Sequence, residues 1–97
     1  MFGLIGNFRT TPGKRDEVLA LMSAGIGSMP GCLSYVIAAD NADDDTIWVT
    51  EVWENEAYHQ ASLQLPEVRA TIEQVMPLLA GGESTARTTP VFGVAAD

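Results

Sequence analysis

The sequence predicts one α+β domain in which a four-stranded antiparallel sheet carries its helices on one face. Three observations predict it. Four short stretches rich in strand-forming residues alternate with two stretches whose apolar residues recur at helical spacing. An acidic loop joins the two middle strands at hairpin distance. Glycine- and proline-containing breaks separate most of the other elements, at Pro12-Gly13, Pro30-Gly31 and Gly81-Gly82.

The elements follow in order. Phe2 to Arg9 alternates as a strand, with Phe2, Leu4, Gly6 and Phe8 on one face and Gly3, Ile5, Asn7 and Arg9 on the other. Thr11 is placed to cap a helix that has Pro12 at its first position, with Asp16 and Glu17 suiting the helix dipole. Val18, Leu19, Met22, Ile26 and Met29 form its apolar stripe. Leu33 to Ala39 is the second strand, and Thr46 to Trp53 the third. Asn55 can cap a helix over Glu56 to Leu63, and Pro66 restarts it. Val68, Ile72, Val75, Met76 and Leu79 continue the stripe, which Pro77 ends or kinks. Gly81-Gly82 reads as a break, and Arg87 to Val94 as a final strand that Pro90 confines to an edge or bulge. The order β-α-β-β-α-β is the split βαβ, or ferredoxin-like, plan.

Composition narrows the function. A chain of 97 residues is one domain, residues 1–97, and buries only part of its surface alone. Thirteen acidic against five basic side chains give a net charge of −8, which disfavours nucleic acid and anionic membrane as partners. Asp40, Asp43, Asp44 and Asp45 share one loop, read as a solvated hairpin tip because the glycine and glutamate of an EF-hand loop are missing. The lone Cys32 excludes an internal disulfide and a cysteine-based zinc site. No basic segment precedes the apolar residues at the start, and no apolar run reaches membrane-spanning length, so a cytoplasmic protein is expected. Both faces of the third strand are apolar, Ile47 and Val49 on one and Trp48 and Val52 on the other, and packing two open sheet faces together as a homodimer would cover the excess.

The junction of the third strand and the second helix is the most informative stretch. It brings together Trp53, Tyr58, the single histidine His59 and Ser62. An aromatic wall beside a group that titrates near neutrality suits a small aromatic ligand. Glu51 shares a sheet face with Trp53 by period two, and is expected to pair with Arg9 or Arg87 across the sheet; buried and unpaired, it would instead have a raised pKa and could act as a base. Asn7, near the end of the first strand, could hydrogen-bond a substrate oxygen, Arg69 could offset an oxyanion, and Tyr35 and Tyr58 could wall the pocket.

Several pieces in this order resemble the antibiotic biosynthesis monooxygenase family of dimeric α/β barrels, and within it the branch labelled quinol monooxygenase. They are Phe8-Arg9-Thr10-Thr11-Pro12-Gly13-Lys14, Met29-Pro30-Gly31-Cys32 and Glu51-Val52-Trp53-Glu54-Asn55-Glu56-Ala57, followed by Ala61-Ser62-Leu63, Pro66-Glu67-Val68 and Met76-Pro77-Leu78-Leu79. The resemblance implies oxidation of an electron-rich quinol or anthrone by dioxygen with no cofactor, the substrate carbanion itself reducing oxygen. It implies Trp53 as a pocket wall and, six residues on, His59 in the place where anthrone-oxidising relatives have a tyrosine. Many other relatives have their histidine nine residues beyond the tryptophan, where this chain has Ser62, and the anthrone oxidisers' asparagine four residues before it is here Val49. Two alternatives remain open: a non-enzymatic barrel that binds a small hydrophobic molecule or serves a pathway as an accessory, and haem binding or degradation. Related haem barrels carry their ligand histidine on the last long helix, and Val68 to Leu79 contains none.

Overall fold

The computed structural model describes residues 1–93. Four strands, β1 (Phe2–Thr10), β2 (Cys32–Ala39), β3 (Thr46–Trp53) and β4 (Leu79–Thr88), form one sheet in the order β2-β3-β1-β4, and every neighbouring pair is antiparallel. Helices α1 (Arg15–Gly25), α2 (Glu56–Ser62) and α3 (Pro66–Val75) cover one face, and a 3₁₀ turn at Met76–Leu78 leads into β4. This is the ferredoxin-like arrangement that the order of elements predicts. Among the described residues no helix is long and apolar enough to cross a membrane.

The register decides what meets the helices. Phe2 lies opposite Trp53, Leu4 opposite Glu51, Gly6 opposite Val49 and Phe8 opposite Ile47. Period two therefore turns these residues together toward the helical layer. Val18 and Met22 of α1 and Val75 of α3 pack on Ile47 and Val49 to make the larger core cluster. A second cluster of Met29, Trp53 and Val68 lies where β3 runs into α2. The other sheet face is open, with Ile5, Val36 and Trp48 each more than a third exposed.

The boundaries differ from the sequence reading most at the start of α1 and in the last strand; in addition α1 ends at Gly25, before Ile26 and Met29 of the expected stripe, and Leu79 belongs to β4. Thr11 and Pro12 do not start α1, which begins at Arg15 after Lys14. Thr11 is instead tied to Leu78, to whose carbonyl its amide donates at 2.8 Å and its hydroxyl at 3.4 Å, so the side chain is turned away from the helix start. The last strand begins at Leu79, not Arg87, and ends at Thr88; Val94 of the expected strand lies outside the described residues. Gly81 and Gly82, expected as a break, sit inside it with φ of +88° and +71°. They coincide with register shifts against β1, so left-handed glycines absorb a bulge and the strand continues.

The acidic loop is wired to itself. Asp40 Oδ1 accepts from the amides of Ala42 and Asp43, Asp45 Oδ1 accepts from the Gly13 amide, and Arg9 pairs with Asp43 at 3.1 Å. Arg15 Nη1 donates to the carbonyl oxygens of Asp40 and Asp43. Trp48 Nε1 donates to Asp40 Oδ2, and this bond leads the causes that lower the Asp40 pKa. No group of three or more metal-ligating side chains is arranged to hold an ion among the described residues.

Candidate functional site

The site begins with Trp53, the last residue of β3. Its side chain is fully buried, and its Nε1 donates to Glu51 Oε1 at 3.0 Å. Both residues point to the helical layer, so the bond runs along one strand between positions i and i+2. The chain leaves β3 and enters α2 at once, because Asn55 Oδ1 caps the helix by accepting from the Tyr58 amide. One turn later His59 comes down over Trp53. The two rings meet edge to face at 5.5 Å between centroids and 68°, and Phe2 of β1 flanks the imidazole at 5.8 Å.

His59 Nε2 stands 3.9 Å from Glu51 Oε1, and each of the two side chains is only 15% exposed. That separation exceeds hydrogen-bond reach, so the coupling is electrostatic. The imidazole Nδ1 is buried and has no hydrogen-bond partner. Burial raises the Glu51 pKa, opposed by the Trp53 hydrogen bond and by the charge of His59. The Tyr35 phenol is pushed well up, chiefly by burial and then by the negative charge of Glu51, and stays a hydrogen-bond donor.

These groups border a cavity of about 210 Å³ between the sheet and α2 and α3. Phe8, Met22, Ile26, Met29, Trp53, Val68 and Val75 supply apolar wall, while Tyr35, Glu51, His59, Ser62 and Thr71 are its polar members. Leu63, Ile72 and Met76, all exposed, also line it and carry the apolar wall to the surface. A predominantly apolar chamber with a few convergent polar groups is the usual form of a small-molecule site.

The residues singled out from the sequence separate clearly. Trp53, His59, Tyr35 and Ser62 line the cavity; Asn7, Tyr58 and Arg69 do not. Asn7 lies opposite Trp48, so strand alternation turns its side chain away from the helical layer. Tyr58 is 40% exposed, and its ring lies against Gly31. Arg69 is exposed on α3. Ser62 is buried, but its hydroxyl donates to the His59 carbonyl at 2.6 Å, and Thr71 likewise donates to the Glu67 carbonyl.

Glu51 is the main correction. Neither expected arginine reaches it, because Arg9 pairs with Asp43 at the hairpin and Arg87 pairs with Glu56 at the start of α2 while lying over the Phe2 ring. The carboxylate is left to Trp53 and His59. The period-two spacing from Trp53 was a sufficient signal for its facing the site; the choice of partner was not legible.

The comparisons with known proteins agree on this architecture. An uncharacterized protein of Synechocystis sp., sll1783, is 35% identical over 78 residues, which are 77% of this chain. The chain spans about half (53%) of the length of that curated relative. A solved structure from Chloroflexus aurantiacus J-10-fl that carries the antibiotic biosynthesis monooxygenase name is 49% identical, with a TM-score of 0.93 over 97% of this chain and 96% of that one. The Rv0793 protein of Mycobacterium tuberculosis shares the fold at 22% identity, with a TM-score of 0.80 over 97% of this chain and 98% of that one. The sequence signature of one family matches residues 1–74, more than half of the chain, and the chain belongs to that family, antibiotic biosynthesis monooxygenase.

Proposed function

We propose that the protein is a cofactor-independent monooxygenase that oxidises a small electron-rich aromatic, a quinol, with dioxygen. The observation that carries this reading is a mostly buried imidazole, 15% exposed, set edge to face on Trp53 in the wall of an apolar cavity. His59 takes the proton of a ring hydroxyl, and Tyr35 donates to the oxyanion that develops. The ring carbon then has carbanion character and passes one electron to dioxygen. The radical pair combines into a carbon–oxygen bond, the imidazolium returns its proton to the peroxide oxygen, and loss of water leaves a carbonyl. One quinol and one dioxygen give one hydroxyquinone and one water.

The cavity volume supports a small substrate. At about 210 Å³ it is somewhat larger than the ~150 Å³ apolar cavity that takes up benzene. That suits one or two rings better than a three-ring anthrone, and it falls below the range of about 300–1,000 Å³ usual for drug-sized ligands. In the same reading the protein is a homodimer that packs two open sheet faces together, which would cover Ile5, Val36 and Trp48. An unpaired Cys32 is compatible with a cytoplasmic setting.

Oxygen uptake in chelator-treated buffer, with mono- and bicyclic quinols and an anthrone, tests the proposal. Saturable uptake with a quinol, slowed by about 10²–10⁴-fold in His59→Ala, is the expected result. No uptake across the panel would reject it. One observation favours a second reading, binding without catalysis: Ser62 and Thr71 donate their hydroxyl protons to helix carbonyls, so neither is free to stabilise an oxyanion. Tight binding of a quinol with no oxygen uptake would favour that reading.

A further inference from the structure

We propose that Glu51 and His59 form a clamp for two hydroxyl groups on neighbouring ring carbons, so that the quinol taken up is a 1,2-dihydroxy ring. One hydroxyl donates to His59 Nε2 and the other to the Glu51 carboxylate. The chemical consequence rests on the oxygenase reading above; the binding itself does not.

The geometry of the pair supports the clamp. Both side chains line the same cavity, and each is 15% exposed. In the imidazole, Nδ1 is sealed from solvent and Nε2 is not, so Nε2 is the nitrogen that a ligand reaches. It stands 3.9 Å from Glu51 Oε1. That is too far for the two to satisfy each other, so each can take a donor from a ligand. Oxygens on neighbouring ring carbons lie about 2.7–2.8 Å apart, close to the separation of two hydrogen-bonded oxygens. Two O–H bonds that diverge slightly from such a pair end on acceptors 3.9 Å apart.

The carboxylate is held in place and short of donors. Trp53 Nε1 donates to Oε1 at 3.0 Å, and this is the one hydrogen bond that the carboxylate receives among the described residues. Arg9 and Arg87 are paired with Asp43 and Glu56 instead. An ionised carboxylate offers about four acceptor positions, so most of them are unused here. Burial outweighs the indole bond and raises the pKa, as expected where donors are few. A single hydroxyl has one proton for two acceptors and leaves one of them unpaired. Hydroxyls at opposite ends of a ring cannot reach both. Two neighbouring hydroxyls serve both at once.

The clamp also assigns the oxygenated carbon. Nε2 takes the proton of its hydroxyl, and the ring carbon para to that oxygen passes an electron to dioxygen and then bonds to it. The imidazolium returns the proton to the peroxide oxygen, and water leaves with the hydrogen of that carbon. The hydroxyl on Glu51 keeps its proton and becomes the hydroxyl of the product. One 1,2-diol and one dioxygen thus give one 2-hydroxy-1,4-quinone and one water.

Binding in the absence of oxygen tests the clamp apart from the chemistry. Benzene-1,2-diol, benzene-1,4-diol, 2-methoxyphenol and phenol are titrated into the protein anaerobically at pH 7 and followed by NMR. The 1,2-diol should bind about 10–100-fold more tightly than 2-methoxyphenol, which lacks one donor, and than the 1,4-diol, the difference made by one hydrogen bond to a charged group. In Glu51→Gln that advantage should fall by about tenfold, while unchanged phenol affinity shows an intact cavity. Equal affinity for the two diols in the wild type, binding of none of the four, or an advantage that survives Glu51→Gln would overturn the proposal. The wild-type ranking decides the matter even if the variant does not fold. The expected ranking in a protein that consumes no oxygen would uphold the clamp and reject the oxygenase reading. Oxygen uptake confined to the 1,4-diol would do the reverse.

Discussion

Replacing Trp53 with phenylalanine keeps an aromatic ring in the wall and deletes the only donor that the indole offers. The structure sets the size of the effect. The lost hydrogen bond, 3.0 Å long, ends on a carboxylate, and bonds to charged groups are worth about 1.5–3 kcal/mol. Glu51 keeps 15% of its side-chain exposure, so solvent can replace part of the interaction and the lower end, about 1.5–2 kcal/mol, applies. The smaller ring leaves unfilled volume at a fully buried position, for about 1 kcal/mol more, in the range of conservative core truncations. The total, about 2.5–3 kcal/mol, should lower the melting temperature by roughly 10–20 °C in a domain of this size. A double-mutant cycle isolates the bond. In a Glu51→Leu background the acceptor is gone, and Trp53→Phe should cost only the packing part, about 1 kcal/mol. Urea denaturation of the four proteins at one fixed concentration should therefore give a coupling of about 1.5–2 kcal/mol. Additive single-mutant effects, within about 0.5 kcal/mol, would refute the reasoning that joins these two side chains.

Three further outcomes are expected. Burial raises the Glu51 pKa in the folded state, so the fold binds that proton more tightly than the unfolded chain does and gains stability as pH falls from the raised value through the ordinary one of 4.5; Glu51→Gln should melt higher than wild type at pH 7 in calorimetry, with the gap closing by about pH 4, and a constant gap would contradict the assignment. Gly31 has φ of +76°, and an added Cβ would lie 2.2 Å from Tyr58 Cγ; Gly31→Ala should destabilise by about 1–3 kcal/mol in urea, and an unchanged midpoint would show that the turn can relax. Val36→Asp, at a position 54% exposed on the open face, should change the sedimenting species from twice the 10.4 kDa chain mass to once that mass, and a monomeric wild type would remove the assembly proposal.

The first three strands were legible because their signals are local and redundant. Alternation in Phe2 to Phe8 and in Thr46 to Trp53 fixes which residues face the helices, and register follows from matching those faces. Asn55 was legible as a cap for the same reason, its partner Tyr58 being three residues away. Thr11 misled because its hydrogen bond reaches Leu78, and no pattern within a few residues of it records that contact. Glycines at 81 and 82 read equally well as a break or as a bulge, and only pairing with β1 decides between them. In the site, Trp53 and His59 were legible from the strand–helix junction. The freedom of Glu51 was not, since it depends on what two distant arginines do: Arg9 is held by the hairpin and Arg87 by Glu56. Asn7 lies on the open face by strand parity, which nearness to a strand end does not override.

The two tryptophans, Trp48 and Trp53, point to opposite faces of the same strand. Each donates its indole N–H to a carboxylate, Trp48 to Asp40 on the open face and Trp53 to Glu51 beside the cavity. The chain therefore contains two native optical reporters, one for each surface where an event is proposed. With Trp48→Phe, the remaining emission belongs to the cavity wall and should respond to a ligand; with Trp53→Phe, it belongs to the open sheet and should respond to dilution. Binding and assembly can here be watched separately by the intrinsic light of a single strand.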